Sequence, residues 1–313
     1  MLHACQAGFE TFAVKELNTS VLERGAGWVR GPELDAGDRC FPHYSLKAET
    51  VLAGATVRAS AQALVDYFLA SSRGESYDAP WPLLVEGGGE EGAVKRANTV
   101  EELFLELAKK RVSRVVKLAV AGRPAPGARR GLFAFFTGLD RFVVAREGLF
   151  GGQRRMADDP RAPSRSYLKA EEAYAALGDG PKAGELVVDL GAAPGGWSYS
   201  AAKRGAKVVA VDNGPLKGGA LGHPLIEHRA EDAFKFEPPK ADWLFCDMIE
   251  DPERVLDLTR RWLEAGRCRR LVVNLKFGRH DPLPLIRKAK ALPVDGVKVR
   301  HLYHDREEVT VLA

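Results

Sequence analysis

Apolar positions along this chain alternate between helical and strand spacing. MLHACQAGFETFAVKEL opens with an apolar strand into Gly8, after which Phe9, Phe12, Ala13 and Leu17 recur at helical intervals, a small α+β start. Leu52 and Ala53 suit a strand, and Leu64, Val65, Phe68 and Leu69 an amphipathic helix. Ser71 to Gly92, with Pro80, Pro82 and Gly87-Gly88-Gly89, reads as a loop. Helix is expected again from Thr99, an N-cap completed by Glu102, with Leu103, Phe104 and Leu107 as its apolar face. The turn GRPAPGARRG leads into LFAFFTG and RFVVARE, which pair as strands. Arg146 to Ser166 mixes arginines with Gly and Pro and reads as a linker; YLKAEEAYAAL is then helical. Beyond it, LVVDL, KVVAVD, ADWLFCDM and RRLVVNLK alternate with helical patterns, which argues a doubly wound sheet. VKVRHLYHDREEVTVLA closes as two strands around Arg306 to Glu308, an antiparallel hairpin.

Composition adjusts this picture only slightly. The 313 residues suffice for two cores, and 45% hydrophobic with 28% charged residues is ordinary for a globular chain. A net charge of +4 permits a nucleic-acid partner without demanding one. Two basic clusters, Lys109, Lys110, Arg111, Arg114 and Lys117, then Arg123 to Arg130, flank glycine-rich turns. RNA contact and a merely solvated face remain equal alternatives for them, as phosphate contact and packing do for Arg154, Arg155, Arg161 and Arg165. Cys5, Cys40, Cys246 and Cys268 lack C-x-x-C or zinc spacing, so reduced thiols and no metal are expected. No apolar run approaches the roughly 18 residues of a membrane span, and a soluble, cytoplasmic protein is expected.

Chemistry concentrates in LVVDLGAAPGGW, residues 186–197. Strand, glycine loop and helix is the geometry that sets a nucleoside cofactor at the carboxyl ends of a parallel sheet. The loop is not G-x-G-x-x-G, since Pro194 sits in the turn and Asp189 two residues before Gly191. A carboxylate there would repel a pyrophosphate and suits a cationic ligand such as the amino-acid end of S-adenosylmethionine. Asp212, ending the next strand, can accept ribose hydroxyls. Asp247 and Lys276 end two successive later strands, where charged side chains face the ligand crevice.

The run D-x-G-A-x-P-G-G-W resembles the first motif of FtsJ-related methyltransferases. Lys169, Asp247, Lys276 and Glu308, in SRSYLK, CDM, NLK and REEV, resemble the K-D-K-E tetrad of 2'-O-ribose methyltransferases; Glu307 is the alternative fourth member. SRSYLKAEEA, DLGAAPGGW, VDNGP, CDM, NLK and LYHDREEVTV together are similar to bacterial 23S rRNA cytidine 2'-O-ribose methyltransferases of the large-subunit M type, closely over residues 164–312. The resemblance implies a Rossmann-like class I methyltransferase domain with a mixed seven-stranded sheet, preceded by a smaller α+β THUMP-like region. It implies Lys276 as general base, with Lys169 lowering its proton affinity and Asp247 and Glu308 orienting the amines. Ser166, Asp189, Gly191, Ala193, Pro194, Gly195, Gly196, Trp197, Asp212, Asp232 and Asp247 would bind S-adenosylmethionine. The chain departs from the family in FGRHDPLPL after Lys276, and in Ala193 where Cys is common.

The expected organisation is a ferredoxin-like piece at 1–48, a THUMP-like RNA-binding domain at 49–150, a linker at 151–165 and the methyltransferase domain at 166–313. The expected partner is 23S rRNA or a large-subunit precursor, met by a monomer without a membrane. An RNA-binding protein whose methyltransferase half is inactive, or an enzyme for a different RNA, stays open as the alternative. Cys246 alternates toward the core and is a poor candidate nucleophile.

Overall fold

The computed structural model describes residues 1–33, 38–88, 91–237 and 239–313. The chain folds as two units, Met1–Gly152 and Gln153–Ala313.

In the first unit the elements are β1 (Leu2–Ala4), α1 (Glu10–Leu17), β2 (Glu23–Gly25), β3 (Trp28–Arg30), β4 (Tyr44–Lys47), β5 (Thr50–Ala53) and α2 (Val57–Ser71). Then follow β6 (Trp81–Gly87), α3 (Ala93–Val116), β7 (Ala119–Ala121), β8 (Gly127–Phe136) and β9 (Arg141–Phe150). All these strands share one sheet, ordered β2-β3-β1-β4-β9-β8-β6-β7, with β5 also on β9. The two ends of β9 take different partners: Glu147–Phe150 pairs with β4 and Arg141–Val144 with β5. The sheet therefore runs continuously across residues 48 and 49. Phe133, Phe135, Val143 and Phe150 pack with Leu2, Tyr44 and Leu46 in one core; Leu132, Phe136 and Phe142 pack with Leu64, Phe68, Val100 and Phe104 of α2 and α3 in another.

Three local expectations are corrected here. Residues 71–92 contain β6, whose Leu83, Leu84 and Val85 are buried between β7 and β8; Pro82 is tolerated at its second position. Gly89 lies outside the described residues. The long helix begins at Ala93 behind Gly92, and Thr99 lies inside it, its hydroxyl bonding back to the Lys95 carbonyl at 3.0 Å. Ala93, Ala97, Val100, Phe104 and Ala108 form its continuous buried stripe, which outweighs the local capping signal. Arg146 belongs to β9, not to a linker; it is buried and pairs with Glu75 at 2.8 Å.

In the second unit, α4 (Tyr167–Leu177) precedes β10 (Leu186–Leu190), α5 (Gly196–Lys203), β11 (Lys207–Val211), β12 (Ile226–Arg229) and β13 (Trp243–Cys246). It continues with α6 (Pro252–Glu264), β14 (Arg270–Lys276), α7 (Leu283–Lys290), β15 (Lys298–Arg300) and β16 (Glu308–Leu312). The sheet order β12-β11-β10-β13-β14-β16-β15 is parallel except for β16, which is antiparallel to both neighbours. This mixed seven-stranded sheet is the class I methyltransferase arrangement. Order reverses at β10, so the crevice opens beside the carboxyl ends of β10 and β13. Among the described residues no helix is long and apolar enough to cross a membrane.

Candidate active site

The loop after β10 is shaped by its glycines. Gly191 (φ +74°) and Gly195 (φ +106°) hold a left-handed backbone, and a Cβ would come within 2.3 Å of Met248 Cγ at Gly191 and 2.5 Å of Ala220 Cβ at Gly195. The Ala193–Pro194 peptide is cis. At the end of β11, Asp212 accepts from the Ala193 amide at 3.0 Å and the Gly214 amide at 2.7 Å. A carboxylate offers about four lone-pair sites, so capacity remains for further donors.

Beside this loop lies a cavity of about 640 Å³. Ser164, Ser166, Gly191, Ala193, Pro194, Asp212, Asp232, Phe234, Asp247 and Met248 contribute to its wall, as do Lys169 and Lys276. Acids outnumber bases there, with Asp212, Glu231, Asp232, Asp247 and Glu250 against the two lysines, which suits a cationic ligand. Gly195, Gly196, Trp197, Asp189 and Glu308 do not line it. Gly195 and Gly196 open α5 as a packed turn, and Trp197 donates its indole N–H to the Ser166 carbonyl at 2.9 Å. Asp189 is 1% exposed and accepts from Ser198 Oγ at 2.6 Å; burial pushes its carboxyl up to about 7. Asp232 stands at the exposed rim and caps its own loop through the Phe234 amide at 2.9 Å.

At one end of the cavity four charged side chains meet. Lys169 is in the first turn of α4, Asp247 directly follows β13, Lys276 ends β14 and Glu308 begins β16. Asp247 Oδ1 lies 2.6 Å from Lys276 Nζ and 3.1 Å from Lys169 Nζ. Glu308 completes the ring, its Oε1 2.9 Å from Lys169 and its Oε2 3.4 Å from Lys276. All four are at most 23% exposed, so their attractions are weakly screened. Burial pulls the Lys169 ammonium down, but Asp247 and Glu308 outweigh it and hold it above the ordinary lysine range. Burial likewise pushes the Glu308 carboxyl up, but Lys169 and Lys276 outweigh it and keep it below the carboxylate range. Glu307 is exposed, and its carbonyl accepts from the Phe277 and Gly278 amides. Cys246 is 1% exposed and its thiol is pushed up to about 12 by burial, so it is not a nucleophile.

Sequence reasoning missed what stands behind the ring. Asn274, 1% exposed, accepts from Lys276 Nζ at 3.2 Å and donates to Asp305 Oδ1 and Thr310 Oγ1, each at 3.2 Å. Glu172 of α4, fully buried, accepts from the Tyr303 and His304 amides at 2.7 and 3.0 Å, which ties the loop before Glu308 to the helix bearing Lys169. The signal lay in the N-L-K spacing, since residues two apart on a strand share a face.

The FtsJ-like methyltransferase profile matches residues 162–269. The chain is 44% identical over 223 residues to ribosomal RNA large subunit methyltransferase M of Laribacter hongkongensis, covering 62% of each chain. Against the protein of the same name from Chromohalobacter salexigens the identity is 33%, covering 98% of this chain and 95% of that one. The chain belongs to the family of ribosomal RNA large subunit methyltransferase M. It is thus an S-adenosylmethionine-dependent methyltransferase, and the acidic cavity with its close-approach loop fits that cofactor. Magnesium protoporphyrin IX methyltransferase from Synechocystis PCC 6803, solved with bound SAM, aligns at TM-score 0.36 and 17% identity over 47% of this chain and 77% of that one, too low to add to the argument.

Proposed function

We propose that this member of the family methylates the 2'-hydroxyl of a cytidine in 23S rRNA, with Lys276 as general base. The observation that carries the reading is the alternating ring of Lys169, Asp247, Lys276 and Glu308 at the wall of the cavity. Bound S-adenosylmethionine supplies an electrophilic methyl group on a positively charged sulfur. Ser166, Gly191, Ala193, Pro194, Asp212, Asp232 and Asp247 would hold it from the cavity wall, while Asp189, Gly195, Gly196 and Trp197 shape that wall from behind.

A ribose hydroxyl is a poor nucleophile and needs its proton removed as it attacks. Both lysines reach the cavity and both contact Asp247 and Glu308; Lys276 is taken as the amine for that task because it is the more exposed, 23% against 12%, while the two carboxylates hold Lys169 charged. In the free protein Asp247 and Glu308 balance both ammonium groups. Lys276 must give a proton to solvent before it can accept one, and the acids of the cavity wall would hold the cationic cofactor beside it. Asp247, which contacts both amines, then fixes Lys276 against the incoming hydroxyl.

The Met1–Gly152 unit, with its α+β sheet, is read as a ferredoxin-like piece at 1–48 and a THUMP-like RNA-binding domain at 49–150, joined through 151–165 to the catalytic domain at 166–313. RNA docking falls to Lys109, Lys110, Arg111, Arg114 and Lys117, all exposed. We place the protein in the cytoplasm as a monomer, acting on 23S rRNA or a precursor of the large subunit. An inactive methyltransferase half is the less favoured reading, since the four side chains converge. The test is mass spectrometry of rRNA fragments from cells with and without the gene. Loss of a single 2'-O-methylcytidine is expected; an unchanged 23S pattern would overturn the assignment.

A further inference from the structure

Lys276 Nζ has three hydrogens to donate, and the side-chain oxygens of three residues surround it. Asp247 Oδ1 is 2.6 Å away, Asn274 Oδ1 3.2 Å and Glu308 Oε2 3.4 Å. Two are anions that favour the protonated amine. Asn274 is the neutral side chain, and the Asp247 backbone carbonyl is a second neutral acceptor at 3.4 Å.

The orientation of that amide is imposed from behind. Asn274 Nδ2 faces Asp305 Oδ1 and Thr310 Oγ1, and Thr310 Oγ1 itself lies 3.0 Å from Asp305 Oδ2, to which it donates. Asp305 also accepts from the Leu302 amide at 2.9 Å. A flipped amide would set its N–H groups against the Lys276 ammonium and its carbonyl against Thr310 Oγ1, whose hydroxyl is already donated to Asp305, losing both of those hydrogen bonds. Asn274 therefore presents only an acceptor to Lys276. Register reinforces this: Asn274 and Thr310 are opposed across β14 and β16, as are Lys276 and Glu308.

We infer that Asn274 is the positioning residue of this site, holding one N–H of Lys276 so that the lone pair of the deprotonated amine points into the cavity. The inference rests on the reading of Lys276 as the base. A neutral amine keeps two N–H groups, and Asp247 and Asn274 are its two nearest acceptors. A lone pair aimed at either of these two oxygens would meet repulsion, so it takes the side of the longest contacts, where Glu308 Oε2 and the Asp247 carbonyl are each 3.4 Å away and an incoming hydroxyl can replace them. Being uncharged, Asn274 holds the proton less strongly than Asp247 and Glu308 do; Lys169 opposes them from α4 and Asp305 stands behind the amide.

The test exchanges the two buried groups. N274D/D305N keeps one acid and one amide in the network but places the charge directly against Lys276. Single-turnover methylation of a 23S rRNA transcript with saturating S-adenosylmethionine should show the ascending pH limb moved upward, with about tenfold lower rate at the wild-type half-maximal pH. N274S should lower kcat about tenfold with KM for the cofactor unchanged, because the base is misaimed rather than the ligand lost. Thermal unfolding identifies a variant that does not fold. A folded exchange variant with the wild-type limb overturns the role of Asn274; if that variant does not fold, wild-type kcat in N274S does so. Retained activity in Lys276→Arg would instead remove the base reading itself, which keeps the two failures apart.

Discussion

Lys276 and Glu308 are directly opposed across the antiparallel β14–β16 ladder, and their charged ends lie 3.4 Å apart. The sheet register thus sets half of the ring without any loop adjustment. Directly opposed side chains in such a ladder are about 5 Å apart at Cβ. Asp247 and Lys169 then approach from a neighbouring strand end and from α4.

If the amine of Lys276 takes the 2'-OH proton, Lys276→Ala should cost about 10²–10⁴ in methyl transfer while S-adenosylmethionine affinity stays near wild type. Lys276→Arg should be nearly as inactive, because a guanidinium does not give up its proton. Single-turnover rates and calorimetry on the two variants check both halves. Substantial activity in the arginine variant would reduce Lys276 to a phosphate contact.

Asp212 links cofactor and loop. Asp212→Ala should weaken S-adenosylmethionine binding by about 1.5–3 kcal/mol for each lost hydrogen bond to the charged acceptor. It also releases the Ala193 and Gly214 amides, so a loss of thermal stability should accompany it. Unchanged affinity by calorimetry would take Asp212 out of the ligand contacts and leave it as a loop anchor.

Asp189 carries a pH signature. Its carboxyl rises from the ordinary 3.8 to about 7 because it is buried. A raised value means the folded state prefers the neutral acid, so its stabilising contribution is complete below about pH 4 and is lost as pH rises through 7. At about 1.4 kcal/mol per pH unit the loss is on the order of 4 kcal/mol at neutrality. Asp189→Asn, which can still accept from Ser198, should flatten urea stability between pH 4 and 7 and raise it at pH 7.5. An equal pH slope in both proteins would refute the buried-acid account.

The two basic clusters should behave differently. Lys109, Lys110, Arg111 and Arg114 are exposed on α3, and replacing all four by Ala should reduce the salt slope of RNA binding by roughly three. Arg123 is paired to Glu86 at 2.7 Å, and Arg130 to Glu75 and Glu147. Replacing those two should lower stability and leave the slope nearly unchanged. Filter binding across a salt series decides, and an unaltered slope in the α3 variant moves RNA docking elsewhere.

The parallel sheet was legible because its strands are uninterrupted apolar runs ending in polar residues, as at LVVDL and RRLVVNLK. Lys169, Asp247, Lys276 and Glu308 were legible by likeness, and their mutual contacts follow from where those strands end. β6 was hidden because Pro82 and the glycines beside it signal a loop locally, while its burial depends on β7 and β8, distant in sequence. Thr99 misled for the same reason: a hydroxyl that caps a helix also bonds one turn back inside it. The N-L-K spacing puts Asn274 on the face of Lys276, but its partners Thr310, through the β14–β16 register, and Asp305, from the loop before β16, were not legible locally.

At the closing edge of the second sheet, chain order and spatial order disagree. β16 follows β15 in the chain yet lies between β14 and β15. β15 is therefore joined to the sheet only through β16, the strand that brings Glu308. The strand that closes the sheet against β15 is thus also the strand that completes the ring. Without that strand the site would hold two lysines and one acid, so the edge of the sheet and the charge balance of the ring stand or fall together.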